Sequence, residues 1–600
     1  MSGPNNRAAA APVPTSAMSV LERAGSGAMP GIELMPQPDH RLRLAMRDGV
    51  HLDTCIWLPD VSSGATVPCI LLRTPYREHV MGWARLGVLR YVQAGYAVAI
   101  QLIRGIGESE GSFSFNSPCE ANDGYDTVEW LAAQPWCDGN IGMDGSSYVG
   151  MTQLSAASAR PPHLRCIVPC VVSVDFFREI PYLGGIFSRI HSINWTSLLQ
   201  IRSLAEQTGG FVSAMPILSQ PAWLRRMTVR PLRTAADDLL RGDMLRHYHD
   251  ILAHPTFDAW WRERTLGAAE YANIDLPALI VAGNFDPCVG TLTLWRRLES
   301  HAGGAAERQL LIGPWDHGQA YTGGAAAHGP YQFGPDATPD MVALSLVFFE
   351  RHLRQKGAGS APHERVRLYL TGANQWRSFD SYPPPEMRGC SLYLRSDGAA
   401  NSARGDGRLT TETPHKDEPA DKFISDPLLP FVAAFASADP ALQFDLREME
   451  RCHEVLAFST APLEQPWSIV GEADLHLHMA ADTPDCDLVA VLAEARADGQ
   501  VVRLAIGALR LRYREGYERE VALVPGEPVE ARLTLTYVGH RVPAGSRLRL
   551  LLGSSLFPLL DPNPNTGEAI ADAVDFRVAQ LSIFHDSARP SRIVLPLLPD

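Results

Sequence analysis

The chain has 600 residues, too many for one hydrophobic core, so about two to four domains are expected. With 46% hydrophobic and 20% charged residues it has the composition of an ordinary globular protein. Its net charge of -14 opposes attraction to nucleic-acid phosphates, and no Lys/Arg run makes a local exception.

Residues 1–38 are rich in Ala, Pro, Gly and Ser and lack the continuous apolar stretch of a secretory signal, so they read as a disordered leader. A cytoplasmic location is expected. The pattern then changes. Leu42, Leu44 and Met46 alternate with polar residues, Asp48-Gly49 supplies a tight turn, and Val50, Leu52 and Ile56 follow, which predicts a β-hairpin. Short apolar runs at Cys69–Leu72, Tyr96–Leu102, Ile141–Met143 and Cys166–Val172 predict buried strands. Tyr125, Val128, Leu131 and Ala132 recur at helical spacing between the second and third of these. Strands alternating with helices point to a mainly parallel sheet, and 39–173 is read as the first part of an α/β core.

From 174 to 273 the chain is helix-like and irregular, and reads as a helical cap inserted over the sheet. Its aromatic residues Phe176, Phe177, Tyr182, Phe187 and Trp195 are expected mostly to pack that cap onto the core. The run Cys166–Phe177 is too short to span a bilayer, so no membrane association is expected. Strand rhythm returns at Ala278–Ala282 and Gln309–Ile312, making 274–365 the second part of the core. Beyond it, regularly spaced strands predict an all-β sandwich or jelly roll over 366–600, with a long polar loop at Ala399–Asp421. The ten cysteines fall singly, without zinc spacing, and are expected as reduced core thiols.

The chemistry concentrates in three places. In IGMDGSSYVGM a short strand meets Gly145-Ser146-Ser147-Tyr148-Val149-Gly150 and then a helical run. A serine on such a corner is held on a sharp turn with its hydroxyl exposed, and the N–H after it points into the same space. Ser147 fits better than Ser146, because Gly145 lies two before it, although the second glycine of a Gly-x-Ser-x-Gly elbow arrives one place late, at Gly150. An ordinary helix-capping turn would look similar. A serine also needs a base and an orienting acid, which in this fold class follow in the order Ser, Asp, His. Asp286 closes GNFD after the strand ALIVA, and His317 lies in GPWDHG after the strand QLLIG; Asp316 is the rival partner for that histidine.

The chain resembles the cocaine esterase / X-prolyl dipeptidyl peptidase family of serine hydrolases. The resemblance rests on Arg73-Thr74-Pro75-Tyr76, Arg104-Gly105-x-Gly107-x-Ser109-x-Gly111, DGYDTVEWLAAQPW, GSSYVG, GNFD, GPWDHG and Asn563-Pro564-Asn565-Thr566-Gly567, in that order. It implies an α/β-hydrolase core with an inserted helical cap and a C-terminal jelly roll. It also implies Ser147 as nucleophile, Asp286 as acid and His317 as base. An oxyanion hole would be made by the Tyr76 hydroxyl and the Tyr148 N–H. No metal or organic cofactor enters such a mechanism. The implied partner is a small-molecule ester, with an amide (X-Pro dipeptidyl peptidase or acylase) or biosynthetic acyl transfer as alternatives. Family members are often oligomers, so a homo-oligomer is expected. Three departures stand out. The chain reads Gln101-Leu102-Ile103-Arg104 where the family often has an acid shortly before the Arg-Gly of its third motif. Pro287 and Cys288 replace aromatics common just after the triad acid. Near the elbow stands Val149 rather than one of the carboxylates with which amino-acid ester hydrolases bind an ammonium group.

Overall fold

The structure, a computed structural model, describes residues 37–599 other than 62–63, 77–81, 208–227, 287–289, 302–305, 356–363 and 431–443. Nearly all of the expected leader, and the Pro287-Cys288 pair, therefore lie outside the described residues.

The predicted hairpin is present as β1 (His40–Ala45) and β2 (His51–Trp57), antiparallel with Ala45 opposite His51. Gly49 closes the turn at φ 84, where a residue without Cβ meets no steric cost. β3 (Val67–Thr74), β4 (Ala97–Leu102), β5 (Cys137–Ser146), β6 (Leu164–Cys170), β7 (Ala278–Gly283) and β8 (Arg308–Gly313) follow. Among the described residues ten strands form one sheet in the order β1-β2-β4-β3-β5-β6-β7-β8-β9-β10, with β9 at Val366–Leu370 and β10 at Gln375–Phe379. From β4 to β9 every neighbour is parallel. Burial on both faces explains why β3 and β4 read as unbroken apolar runs rather than alternating ones.

Cys69 and Leu71 face one layer, Ile70 and Leu72 the other. The first layer holds α2 (Glu120–Ala132), α3 (Tyr148–Ser158) and α6 (Gly290–His301), through Val128, Leu131, Leu154, Leu294 and Leu298. The second holds α1 (Gly82–Gln93) and α7 (Met341–Leu353), through Val88, Tyr91, Phe348 and Phe349. This is the α/β-hydrolase architecture. One boundary moves: an all-β region starting at 366 would contain β9 and β10, yet β9 pairs in parallel with β8 (Leu310 opposite Val366) and β10 folds back on it. Their sequences carry the same β signal in either sheet, so only pairing separates the two.

The cap includes α4 (Arg189–Gln207) and α5 (Gly242–Ala253). Phe176, Phe177, Tyr182 and Phe187 are each at most 2% exposed and join the same core as the sheet, so they pack the cap rather than line an opening. Beyond residue 379, thirteen described strands make a largely antiparallel β domain, from Arg388–Arg395 to Arg592–Leu598. The predicted loop Ala399–Asp421 is irregular except for a short strand at Arg408–Thr410, a single bridge from Asn401 to Leu456, and its last residue, which opens the strand Asp421–Ser425.

The β domain grips the cap. Arg189, the first residue of α4, meets Asp561 at 2.7 Å with both side chains 1% exposed, and Arg230 reaches the same carboxylate at 3.0 Å. The Asp561 N–H donates to Phe187 O (2.9 Å) and the Ser188 hydroxyl to Leu559 O (2.7 Å). A buried ion pair adds little net stability, because desolvation offsets the attraction, but it penalises any other seating of the helix. The Asn563–Gly567 motif belongs to this scaffold. Asn563 donates to Asp485 and Asp487 (2.7 and 2.9 Å), and Asp487 takes a two-pronged contact from Arg510.

Candidate active site

β5 ends at Ser146 and α3 opens at Tyr148, leaving Ser147 alone on the corner with φ 60 and ψ -127. For a residue other than glycine such a conformation costs about 1–3 kcal/mol and persists only where the surroundings over-determine it. Here they do. The Ser147 N–H is held by Cys170 O at 2.8 Å, while Ser147 O accepts from Gly150 and Met151 at 2.9 and 3.0 Å. A Cβ on Gly145 would lie 2.3 Å from Val149 Cγ1, and one on Gly150 would lie 2.5 Å from Val172 Cγ1. The late second glycine is thus explained: position 150 of α3 abuts Val172, just past the end of β6, and Val149 fits because Gly145 has no side chain. Ser146, still paired with Cys170 in the ladder, is not on the corner.

Asp286 follows the end of β7, and His317 lies in the loop after β8. Since β5, β7 and β8 run parallel, all three candidate residues lie at one edge of the sheet, where open α/β sheets bind ligands. His317 Nδ1 meets Asp286 Oδ1 at 2.9 Å; the carboxylate side chain is 2% exposed and the imidazole 39%. An Nδ1–H given to the acid leaves Nε2 as the proton acceptor that a serine nucleophile needs. The rival Asp316 turns elsewhere, accepting the Gln319 N–H at 2.8 Å.

Tyr76 is half-buried just beyond β3, and its hydroxyl accepts the indole N–H of Trp195 at 3.0 Å. Tyr148 opens α3, so its N–H is among the first four of a helix, which have no intrahelical acceptor. The end of β3 is anchored by Arg73, fully buried, which donates to Gln101 Oε1 (2.9 Å) and Glu120 Oε2 (2.8 Å). Gln101, in the stretch without an acid before Arg104, supplies Arg73 with an amide oxygen as acceptor. Arg104 of the third motif forks onto Asp123 of α2 at 2.6 and 2.7 Å, tying that loop to the same helix.

Two residues escaped the sequence reading. His191 sits one turn before Trp195 on α4, and His191, Asn194, Trp195 and Leu198 form a half-exposed stripe on a helix whose Ser192, Ile193, Thr196 and Ser197 are buried. Burial, then the neighbouring His317, pushes the His191 imidazole down to about 4. The spacing of three, four and seven could have marked this face. Asn284, two residues before Asp286, accepts the N–H of Gly539 from the β domain at 2.9 Å. No local signal announces a partner 255 residues away.

His247 of α5 stacks on Phe115 (centroids 5.5 Å apart) and meets Phe113 edge-on (5.6 Å). Burial, then the positive charge of Arg264, pushes its imidazole down to about 3 from an ordinary 6.5. Between those values the unfolded chain binds a proton that the folded chain refuses, so stability is lost as pH falls through that window. His247→Phe is expected to flatten part of this acid-side loss, measured as denaturant midpoints at about pH 7 and about pH 4.5. An unchanged pH slope would show that the cap accepts a charged imidazole. Among the described residues no group of three or more His, Cys, Asp or Glu is arranged to hold a metal ion.

Comparison with known proteins agrees with this fold. Residues 48–319 match the X-Pro dipeptidyl-peptidase (S15 family) model, and residues 358–594 match the X-Pro dipeptidyl-peptidase C-terminal non-catalytic domain. A cocaine esterase from Rhodococcus sp. (strain MB1 Bresler) is 33% identical over 578 residues, covering 92% of this chain and 97% of its own. Among solved structures, an aminopeptidase from a marine sediment archaeon of the Thaumarchaeota superposes with a TM-score of 0.80 at 24% identity, over 96% of this chain and 99% of its own. An α-amino acid ester hydrolase follows at 0.77 and 24%, over 95% and 98%. The two structures show the shared fold, and the sequence match shows the kinship: the chain belongs to the cocaine esterase / X-Pro dipeptidyl-peptidase family of α/β-hydrolase serine hydrolases.

Proposed function

We propose that this protein cleaves carboxylic esters of small or medium acyl groups through an acyl-enzyme, with Ser147 as nucleophile, His317 as base and Asp286 as its orienting acid. The observation that carries the reading is the 2.9 Å contact of His317 with Asp286, on the same sheet edge as the strained corner that holds Ser147. His317 Nε2 takes the hydroxyl proton as Ser147 Oγ attacks the carbonyl carbon. The resulting oxyanion accepts from the Tyr76 hydroxyl and the Tyr148 N–H. His317 then hands the proton to the departing alkoxide, and a water activated by the same imidazole releases the acid and restores the serine. Every proton in this cycle is moved by one histidine.

The esterase relative, at 33% identity, supports ester over amide; the family's peptidase members keep amide cleavage as the second reading. A cytoplasmic setting belongs to the same proposal, supported by nine described cysteines that are free thiols. Among the described residues no helix is long and apolar enough to cross a membrane. The deciding assay compares p-nitrophenyl butyrate with an X-Pro p-nitroanilide on one fluorophosphonate-titrated preparation. We expect kcat/KM for the ester to exceed that for the anilide by about 10²-fold or more, since the anilide is the poorer leaving group. A preference for the anilide transfers the assignment to the peptidase reading, and absence of fluorophosphonate labelling removes both.

A further inference from the structure

The two groups assigned to the oxyanion hole come from different parts of the core, Tyr76 from the end of β3 and Tyr148 from the start of α3. A phenol can rotate about its ring–oxygen bond and so present its proton in more than one direction, whereas a backbone N–H is fixed. A donor acts on a transition state without reorganisation only if something has already chosen its orientation. One side chain touches both of these residues, the hydroxyl of Tyr76 and the ring of Tyr148, and it comes from the cap.

Trp195, on the half-exposed stripe of α4, donates its indole N–H to the Tyr76 hydroxyl oxygen at 3.0 Å. The same indole stacks on the Tyr148 ring, with centroids 5.9 Å apart and planes 17° from parallel. It is itself held from three sides. Phe115 meets it edge-on at 5.5 Å, Phe113 at 5.9 Å, and His247 of α5 at 6.1 Å. The Tyr148 hydroxyl in turn accepts the Asn116 N–H at 3.0 Å, which fixes the ring on which Trp195 lies. One lone pair of the Tyr76 oxygen is thereby committed to the indole, and the phenolic proton must point away from Trp195.

We infer that Trp195 is a positioning residue of the oxyanion hole, a cap-borne donor that orients and polarises the Tyr76 hydroxyl so that its proton meets the developing oxyanion. A hydrogen bond accepted by a hydroxyl strengthens the one it donates. The inference rests on the assignment of Tyr76 as an oxyanion donor. It also gives the grip of Asp561 on Arg189 a consequence for chemistry, since that ion pair seats the helix that carries Trp195.

The test is a double-mutant cycle of Trp195→Phe and Tyr76→Phe. Turnover of p-nitrophenyl butyrate is normalised by fluorophosphonate titration, so that only folded active sites are counted. Phenylalanine keeps an aromatic ring against Tyr148 and removes the N–H along with part of the indole's bulk, and the double-mutant background separates the two losses. Tyr76→Phe is expected to lower kcat about 10²–10³-fold. Trp195→Phe is expected to lower kcat about tenfold with KM within about twofold, as for one hydrogen bond made to the reacting machinery. In the Tyr76→Phe background the Trp195 substitution should cost nothing further. A phenylboronic acid adduct, whose oxygen occupies the oxyanion position, should weaken in parallel with kcat. A full tenfold loss retained in the Tyr76→Phe background, or a rise in KM with kcat unchanged, overturns the inference while leaving Tyr76 in place. If Tyr76→Phe itself leaves kcat within about twofold, the Tyr76 assignment falls and the inference falls with it.

Discussion

Replacing Ser147 by alanine is expected to lower kcat by about 10⁴–10⁶-fold and to abolish fluorophosphonate labelling, with little change in stability. The fold should tolerate the change because alanine at φ 60 bears the same backbone strain as serine, and the bonds holding the corner are all made by main-chain atoms of residue 147. Ser146→Ala is the matched control. Ser146 is the last residue of the strand, paired with Cys170, and its substitution should leave turnover within about threefold. What remains in Ser147→Ala is the oxyanion hole and substrate binding, which alone give a modest rate over water. Active-site-titrated kcat for both variants checks the pair; a large loss in Ser146→Ala with near-normal turnover in Ser147→Ala would exchange their roles.

The contrast between those two serines shows what the sequence makes legible. Gly145 two residues before Ser147 pointed to the serine that sits on the corner, because the need for a missing Cβ is local: it arises between residues 145 and 149. The order of Ser147, Asp286 and His317 could be read for a related reason, as each follows a strand whose apolar run is visible by itself. The choice between Asp286 and Asp316 could not, since both precede or flank the histidine within loop sequences and only the folded path shows Asp316 occupied with the Gln319 N–H. The assignment of β9 and β10 failed for the reason that a strand records that it will pair but not with what. The cap aromatics were legible as mostly packing residues, but not which of them would be the exception. Five were visible as a group, and the structure separates Trp195, which reaches Tyr76, from four that are buried in packing. The bond from Gly539 to Asn284 lies at the far end of this scale, linking two domains through one side-chain amide.

Asp286→Asn is expected to lower kcat by about 10⁴-fold with KM nearly unchanged, the loss that follows when the acid of a Ser-His-Asp triad becomes an amide. The cause is the tautomer. The carboxylate Oδ1, 2.9 Å from His317 Nδ1, can only accept, which places the imidazole proton on Nδ1 and leaves Nε2 bare. An asparagine presenting its NH₂ there would demand an acceptor at Nδ1, moving the proton to Nε2, where it blocks removal of the Ser147 proton. With the acid side chain 2% exposed, solvent has little room to replace it. Asp316→Asn, by contrast, touches a turn of the following segment and the His328 imidazole at 3.8 Å, and should cost less than about tenfold. Between these limits lies Asn284→Ala, which removes the acceptor for the Gly539 N–H and so loosens the loop that carries Asp286. It should reduce kcat about tenfold, the scale of a buried hydrogen bond left unmade, while the fluorophosphonate still labels Ser147 to completion. That ordering, with the acid far above the loop anchor and the anchor at or above Asp316, follows from what each side chain holds: the imidazole itself, the loop that carries its acid, or a turn beyond the histidine. An Asp316→Asn variant as crippled as Asp286→Asn would mean that the working histidine turns to a different carboxylate from the one it faces at rest.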